Sequence, residues 1–337
     1  MGDHNILLRI QHTFLTLFES EWLKCINRMG CSQNQLLIGS RLRPQFVLWG
    51  YLSCTELNAD IPLEGTVSLA VSIELIHKAS LLLDDWIDDD FARHGENAFH
   101  VDYGAYSAVM TSILMVIESL DRLIKTQSAS VATSECFELL IKTTKSMACG
   151  AIEELALNNF TQFDYHINRR IALLETAKII SNALLLGYSQ CNQRNNFLQE
   201  ILNKIGELCG FLFQTLNDLE SFSDSDRNKQ HKGQENHDYD RFRKNLVIAK
   251  LYELLSNKEK ETLVKMSDID ILMKYYRKYK IEELTIRELE ITFNEIITLI
   301  SSGQKYGATL KWVSGFTEFM YMLKDVASNR LADKSLS

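Results

Sequence analysis

Residues 81 to 90 read LLLDDWIDDD, five aspartates within seven positions, directly after three leucines. On a helix, Asp84 and Asp88 are one turn apart and share a face, while Asp85 and Asp89 form a second pair turned by about 100°. Carboxylate oxygens so arranged suit a hard divalent cation. Mg²⁺ fits best, because it keeps several waters and shares its shell with substrate phosphates. The bland alternative is a solvated acidic helix end. The apolar turn before the cluster argues against it, since it places the acids at the end of a buried helix and at the mouth of a cavity.

A second oxygen-rich stretch is FQTLNDLESFSDSD, residues 213 to 226. Asn217, Ser221 and either Asp224 or Ser225 fall on one helical face over two turns. An amide carbonyl, a hydroxyl and a carboxylate are all Mg²⁺ ligands. Alone, such residues are common near a helix C-terminus. Paired with Asp84 and Asp88 they form a two-sided metal clamp, with Asp224 as the expected third ligand of the second side.

The elements that must position these residues are helices. The only prolines are Pro44 and Pro62, so the residue that punctuates loops and stops helices is absent from the rest of the chain. LAVSIELIHKASLLLDDWIDD, AVMTSILMVIESLDRLI, ECFELLIKTTKSMACGAIEELAL, RRIALLETAKIISNALLLGY and LQEILNKIGELCGFLFQTLNDLESF repeat apolar residues at three- and four-residue intervals. No run combines β-branched alternation with turn signals, so strands are not expected. The polar run from 223 to 244 reads as a lid loop. The expected architecture is one all-α domain spanning 1 to 337, a helical bundle around a central apolar cavity.

A net charge of −8 supplies no basic field for nucleic acid or an anionic membrane surface. Seven scattered cysteines, never spaced CxxC, read as core residues of a reducing compartment. The N-terminus lacks a signal-peptide pattern, and Ile6 stands where a myristoylation signal needs Ser or Thr. The apolar run SAVMTSILMVIESL is too short to span a bilayer. A cytoplasmic protein without a transmembrane segment is expected.

The ordered segments resemble the trans-isoprenyl diphosphate synthase superfamily along most of the chain. GSRLRP (39 to 44) is similar to the family's GKRxRP, and ELIHKASLLLDDWIDD (74 to 89) to the helix with its first DDxxD motif. ARHG (92 to 95) stands where the family has RRG, LETA (174 to 177) where it has KTA, CGFLFQTLNDLES (209 to 221) at the second DDxxD, and RKNL (243 to 246) at the basic lid motif. The resemblance implies an isoprenoid-synthase fold, Mg²⁺, a prenyl diphosphate substrate and a homodimer. It also implies that the GKR lysine and arginine and the second RRG arginine hold the diphosphate of isopentenyl diphosphate. Here the lysine is Ser40 and that second arginine is His94, leaving Arg41 and His77. The KTA lysine, which in the family holds the allylic diphosphate, is Glu175, and the glutamine expected after Gly150 is Ala151. Arg93, Arg170, Gln214 and Arg243 or Lys244 are the expected partners of the allylic diphosphate.

Losing two cations forfeits charge-assisted hydrogen bonds of about 1.5–3 kcal/mol each. Asn217 and Ser221 resemble the NDxxSxxxE motif of class I terpene synthases, which need no isopentenyl diphosphate. The function expected first is therefore a terpene cyclase acting on a C15, C20 or longer prenyl diphosphate, with Asp84, Asp85, Asp88, Asn217 and Ser221 at its catalytic centre. The family sets chain length just before the first aspartate motif, where Ala79 and Ser80 are both small, unless Thr111, Ser112 or Met115 closes the pocket. The alternatives are a prenyltransferase, by chain elongation or by transfer to another acceptor, and a non-catalytic subunit of a heteromeric synthase.

Overall fold

The computed structural model describes residues 2–31, 34–56, 61–93, 95–126, 131–158, 161–220, 222, 244–266 and 269–332. His94, Ser221 and the polar run 223–243, with Asp224 and Arg243, lie outside the described residues. The long helices are α1 (Gly2–Arg28), α2 (Leu42–Leu52), α3 (Glu64–Ile87), α4 (Ala105–Thr126), α5 (Val131–Leu155), α6 (Tyr165–Tyr188), α7 (Asn196–Glu220), α8 (Leu246–Leu254), α9 (Asn257–Met266), α10 (Ile269–Lys278), α11 (Ile281–Gly303) and α12 (Leu310–Ala332). The expected all-α bundle is what forms. One small departure is an antiparallel pair, β1 (Ala92–Arg93) with β2 (Glu96–Asn97), too short to leave an alternation signal.

Helix α3 is the central element, flanked by α2 and α4, with α6 and α7 behind. Close approach of backbones explains the glycines at its neighbours. A Cβ on Gly50 would lie 1.9 Å from the Leu184 carbonyl oxygen, and one on Gly187 would lie 1.8 Å from that of Val47. The α2–α6 crossing therefore exists only because both positions lack side chains. A second layer of aromatics, Phe46, Trp49, Phe316 and Phe319, locks α2 to α12. Trp312 Nε1 donates to the Trp49 carbonyl at 2.7 Å and ties the same pair.

Helices α3 and α6 are long and apolar enough to cross a membrane by length and composition. The apolar run SAVMTSILMVIESL lies in α4, which is not one of the two. Both longer helices spend that apolarity on the bundle core, where most of each is buried.

A candidate diphosphate and metal site

Helix α3 ends where the acids are. The Asp90 N–H donates to the Asp85 carbonyl at 2.9 Å and the Asp89 N–H to the Trp86 carbonyl at 3.3 Å, with Asp89 left-handed at φ 54°. This is the Schellman arrangement with aspartate in the place that glycine usually takes. Asp89 and Asp90 thus terminate the helix, which leaves Asp84 and Asp88 on its last turn.

The two adjacent aspartates diverge. Asp85 is buried and held by Arg93, whose Nε lies 2.7 and 2.8 Å from its two carboxylate oxygens and whose Nη2 adds a further bond. Burial works against the Arg93 charge, but the Asp85 hydrogen bonds win and hold its pKa above the ordinary value. Arg93 is therefore a brace on the helix end. Asp84 faces the other way. Burial pushes it up to about 7, opposed by the Lys244 ammonium and reinforced by Asp88.

Lys244 is the centre of the opposite wall. Its Nζ lies 2.5 Å from Glu175 and 3.2 Å from Glu154. Burial alone would lower its pKa; the two carboxylates overcome that and raise it well above the usual lysine value. Glu175 is pushed up to about 8 by burial, against the pull of Lys244. It sits in a π-helical turn, Leu173–Ala177, inside α6, and a Cβ on Gly150 would come within 2.4 Å of its Cγ. So Gly150 makes room for the carboxylate that stands where the family resemblance puts lysine.

Three successive backbone N–H groups fix this wall. Lys244 N donates to Glu154 at 2.8 Å, Asn245 N to Asn168 at 2.9 Å and Leu246 N to Asp218 at 2.7 Å, one acceptor from each of α5, α6 and α7. Thr176 donates to Gln214 at 2.7 Å and Gln214 to Asp218 at 2.7 Å, so Gln214 joins the π-turn to the same anchor. Asn217 is exposed on α7 beside the buried Asp218. Glu154, Asn168 and Asp218 were missed from sequence, because acceptors for a returning segment carry no periodic signature.

A cationic basin lies about two turns earlier along α3. Arg41, left-handed at φ 53°, donates to Glu19 at 2.8 Å, to Glu74 at 3.3 Å and to the Leu37 carbonyl, and stacks against Phe18 and Trp22. Lys78 is buried and donates to the Ile38 carbonyl. Arg43 Nε and Glu74 Oε2 are buried with no hydrogen-bond partner. His77 sits among these charges. Its pKa falls well below the usual value through burial first, then Arg43, Lys78, Arg93 and Arg41.

Holding His77 neutral makes the fold pH-sensitive in a defined direction. Its unfolded pKa is about 6.5, so the unfolded state binds the proton first as pH falls, and stability present above that value is lost below it. His77→Gln should flatten the decline in unfolding free energy between about pH 6.5 and 5, by at most about 1.4 kcal/mol per pH unit. Urea titrations of both proteins across that range measure it.

Other expected site residues fall elsewhere. Arg170 is 60% exposed and pairs with Glu153 at 2.9 Å. Ala79 packs against α4, where Ser112 Oγ donates to its carbonyl at 3.0 Å and Met115 is fully buried, while Ser80 Oγ donates to the His77 carbonyl at 2.9 Å.

Comparison with known proteins gives a consistent answer. The polyprenyl synthetase family model matches residues 29–274. Geranylgeranyl diphosphate synthase of Methanosarcina mazei is 26% identical over 186 residues, 54% of this chain and 54% of that protein. Heptaprenyl diphosphate synthase component 2 of Geobacillus stearothermophilus is 29% identical over 192 residues, 55% of this chain and 54% of its own. The chain thus spans about half the length of these curated relatives. The fold is that of geranylgeranyl pyrophosphate synthase from Corynebacterium glutamicum, solved with isoprenyl diphosphate and magnesium. Its TM-score is 0.76 at 16% identity, over 91% of this chain and 97% of that one.

These relatives overturn the expectation of a terpene cyclase, because they are named as synthases of prenyl diphosphates. That expectation took each missing cation and the Asn217–Ser221 pattern in isolation. It overlooked Lys78 and Arg43, which the fold brings into the basin that Ser40 had appeared to empty. Matched by its model over most of its length, the chain belongs to the polyprenyl synthetase family.

Proposed function

We propose that this chain is a divalent-metal-dependent isoprenyl diphosphate synthase, a prenyltransferase that joins isopentenyl diphosphate to an allylic prenyl diphosphate and releases diphosphate. The observation that carries the reading is the pairing of two oppositely charged clusters along α3. Asp84 and Asp88 form one at the helix end; Arg43, His77 and Lys78 form the other. The first suits a diphosphate carried by metal, the second a diphosphate carried by side chains alone.

The acids fit Mg²⁺. Asp88 raises the proton affinity of the half-buried Asp84, and a divalent cation relieves that repulsion. Asp84 and Asp88 would hold it, with a second ion at Asn217, Ser221 and Asp224. When bound, the metal neutralises charge growing on the leaving oxygen. Lys244 presents its ammonium to the same site, Arg93 keeps Asp85 from turning into it, and Gln214 and Asp218 hold the wall in register. Ala79 and Ser80 leave depth along α3, which fits a product of C20 or longer. The protein is read as cytoplasmic, and as a homodimer through α4, where Tyr106, Met110, Ile113, Ile117 and Ile124 present one exposed apolar stripe.

Incubation of the dimer peak from size-exclusion chromatography with Mg²⁺, a C15 diphosphate and isopentenyl diphosphate is the test. A longer prenyl diphosphate, formed only when both substrates are present, is expected. A product formed equally well without isopentenyl diphosphate sinks the reading. The relative named as a component gives a second reading, a subunit that needs a partner. Inertness alone with activity restored by a co-expressed subunit would favour it.

A further inference from the structure

We propose that Lys78 is a diphosphate-binding residue of this chain, supplying from α3 the ammonium that the loop at Gly39–Ser40 lacks, and so setting affinity for the metal-free diphosphate. The proposal rests on the synthase reading.

Its first support is position. Lys78 Nζ donates to the Ile38 carbonyl, and a Cβ on Gly39 would lie 3.3 Å from Nζ and 3.4 Å from Arg41 Nη1. The ammonium therefore lies directly beneath the loop on which Ser40 stands exposed. Lys78 is also six residues before Asp84 on the same helix, a rise of roughly 9 Å. That separation keeps it apart from the acids along the helix.

The second support is the unequal use of charge. Arg41 is consumed by Glu19, Glu74, the Leu37 carbonyl and two aromatic rings. Arg93 is consumed by Asp85. Lys78 has three donors, of which the Ile38 carbonyl takes one. Glu74 Oε1 accepts from Arg41, while its Oε2 is buried and unbonded, and Arg43 Nε is buried and unbonded beside it. Glu74 is thus within range of Lys78 and Arg43 yet hydrogen-bonded to neither, and does not account for them. Lysine acts on phosphate as a point charge and needs no bidentate geometry, so it can serve from α3 as readily as from the loop.

Burial pushes Lys78 down to about 8, offset by Glu74 and reinforced by Arg41, Arg93 and Arg43. A site that holds an ammonium at this cost in the absence of an anion becomes more favourable when one arrives.

A merely structural lysine would tether Ile38 and do nothing else. Lys78→Gln retains a donor for that carbonyl and removes the charge, so it separates the two roles. Calorimetric titration with isopentenyl diphosphate, without metal or allylic substrate, should show about a tenfold or greater rise in Kd for Lys78→Gln with no fall in melting temperature. Ser40→Lys in that background should restore most of the affinity. Equal affinity in wild type and Lys78→Gln would overturn the proposal, as would a wild type that binds no isopentenyl diphosphate. An enzyme that shows the Kd shift but never elongates would refute the synthase reading and leave Lys78 in place.

Discussion

Asp84→Ala is expected to lower turnover by about 10²- to 10³-fold or more while the protein folds normally. The direction follows from what the side chain does in each state. In the metal-free fold Asp84 is a burden, because burial and the neighbouring Asp88 push its carboxyl up to about 7, and it makes no hydrogen bond that the fold needs. Removing it relieves that cost, so the melting temperature should hold or rise. In the reacting complex, by contrast, its oxygens would hold the cation that stabilises the departing diphosphate, and preorganised charge of this kind is worth about 3–4 kcal/mol. Asp85→Ala should show the opposite balance. It strips Arg93 of both carboxylate contacts and loosens the end of α3, so stability falls with activity. Single-turnover rates and thermal melts on the two variants measure the contrast; unchanged turnover in Asp84→Ala would sink the metal assignment.

The helical bundle was readable because its signals are local. Absence of proline and a three-to-four-residue apolar period are properties of short windows, and they placed α3, α4, α6 and α7 correctly. The acidic pair on the last turn of α3 was readable for the same reason. Partners distant along the chain were not. Arg41 looked free in sequence, yet Glu19 and Glu74, 22 and 33 residues away, occupy its guanidinium. Lys244 looked like a diphosphate ligand on a lid, yet Glu154, 90 residues earlier, holds both its backbone and its side chain. The error that produced the cyclase expectation has this origin. Ser40 and His94 were counted as lost charges at one diphosphate and Glu175 at the other, because a one-dimensional reading cannot see that Lys78 lies under Ser40 and Lys244 beside Glu175.

Glu175 and Lys244 give the sharpest test of that point. Above about pH 8, where Glu175 ionises, Lys244→Met should destabilise the fold by up to about 3–5 kcal/mol, the usual cost of leaving a buried ionic partner uncompensated. The three side chains are only 13–15% exposed, so solvent does little to screen them. Glu154 keeps the Lys244 backbone N–H, whereas Glu175 loses its ammonium partner. Glu175 is therefore the group that carries the penalty, and Lys244→Met/Glu175→Gln should recover most of it. Additive losses in that double variant would refute the coupling. A pH series strengthens the test. The folded pKa of Glu175, already raised to about 8, should rise further without Lys244. A carboxyl with a raised folded pKa contributes stability below its unfolded value and loses it as pH climbs toward the folded one. The deficit of Lys244→Met should accordingly be larger at pH 9 than at pH 7, on either side of the wild-type value, and this slope should vanish in the double variant, where position 175 cannot ionise.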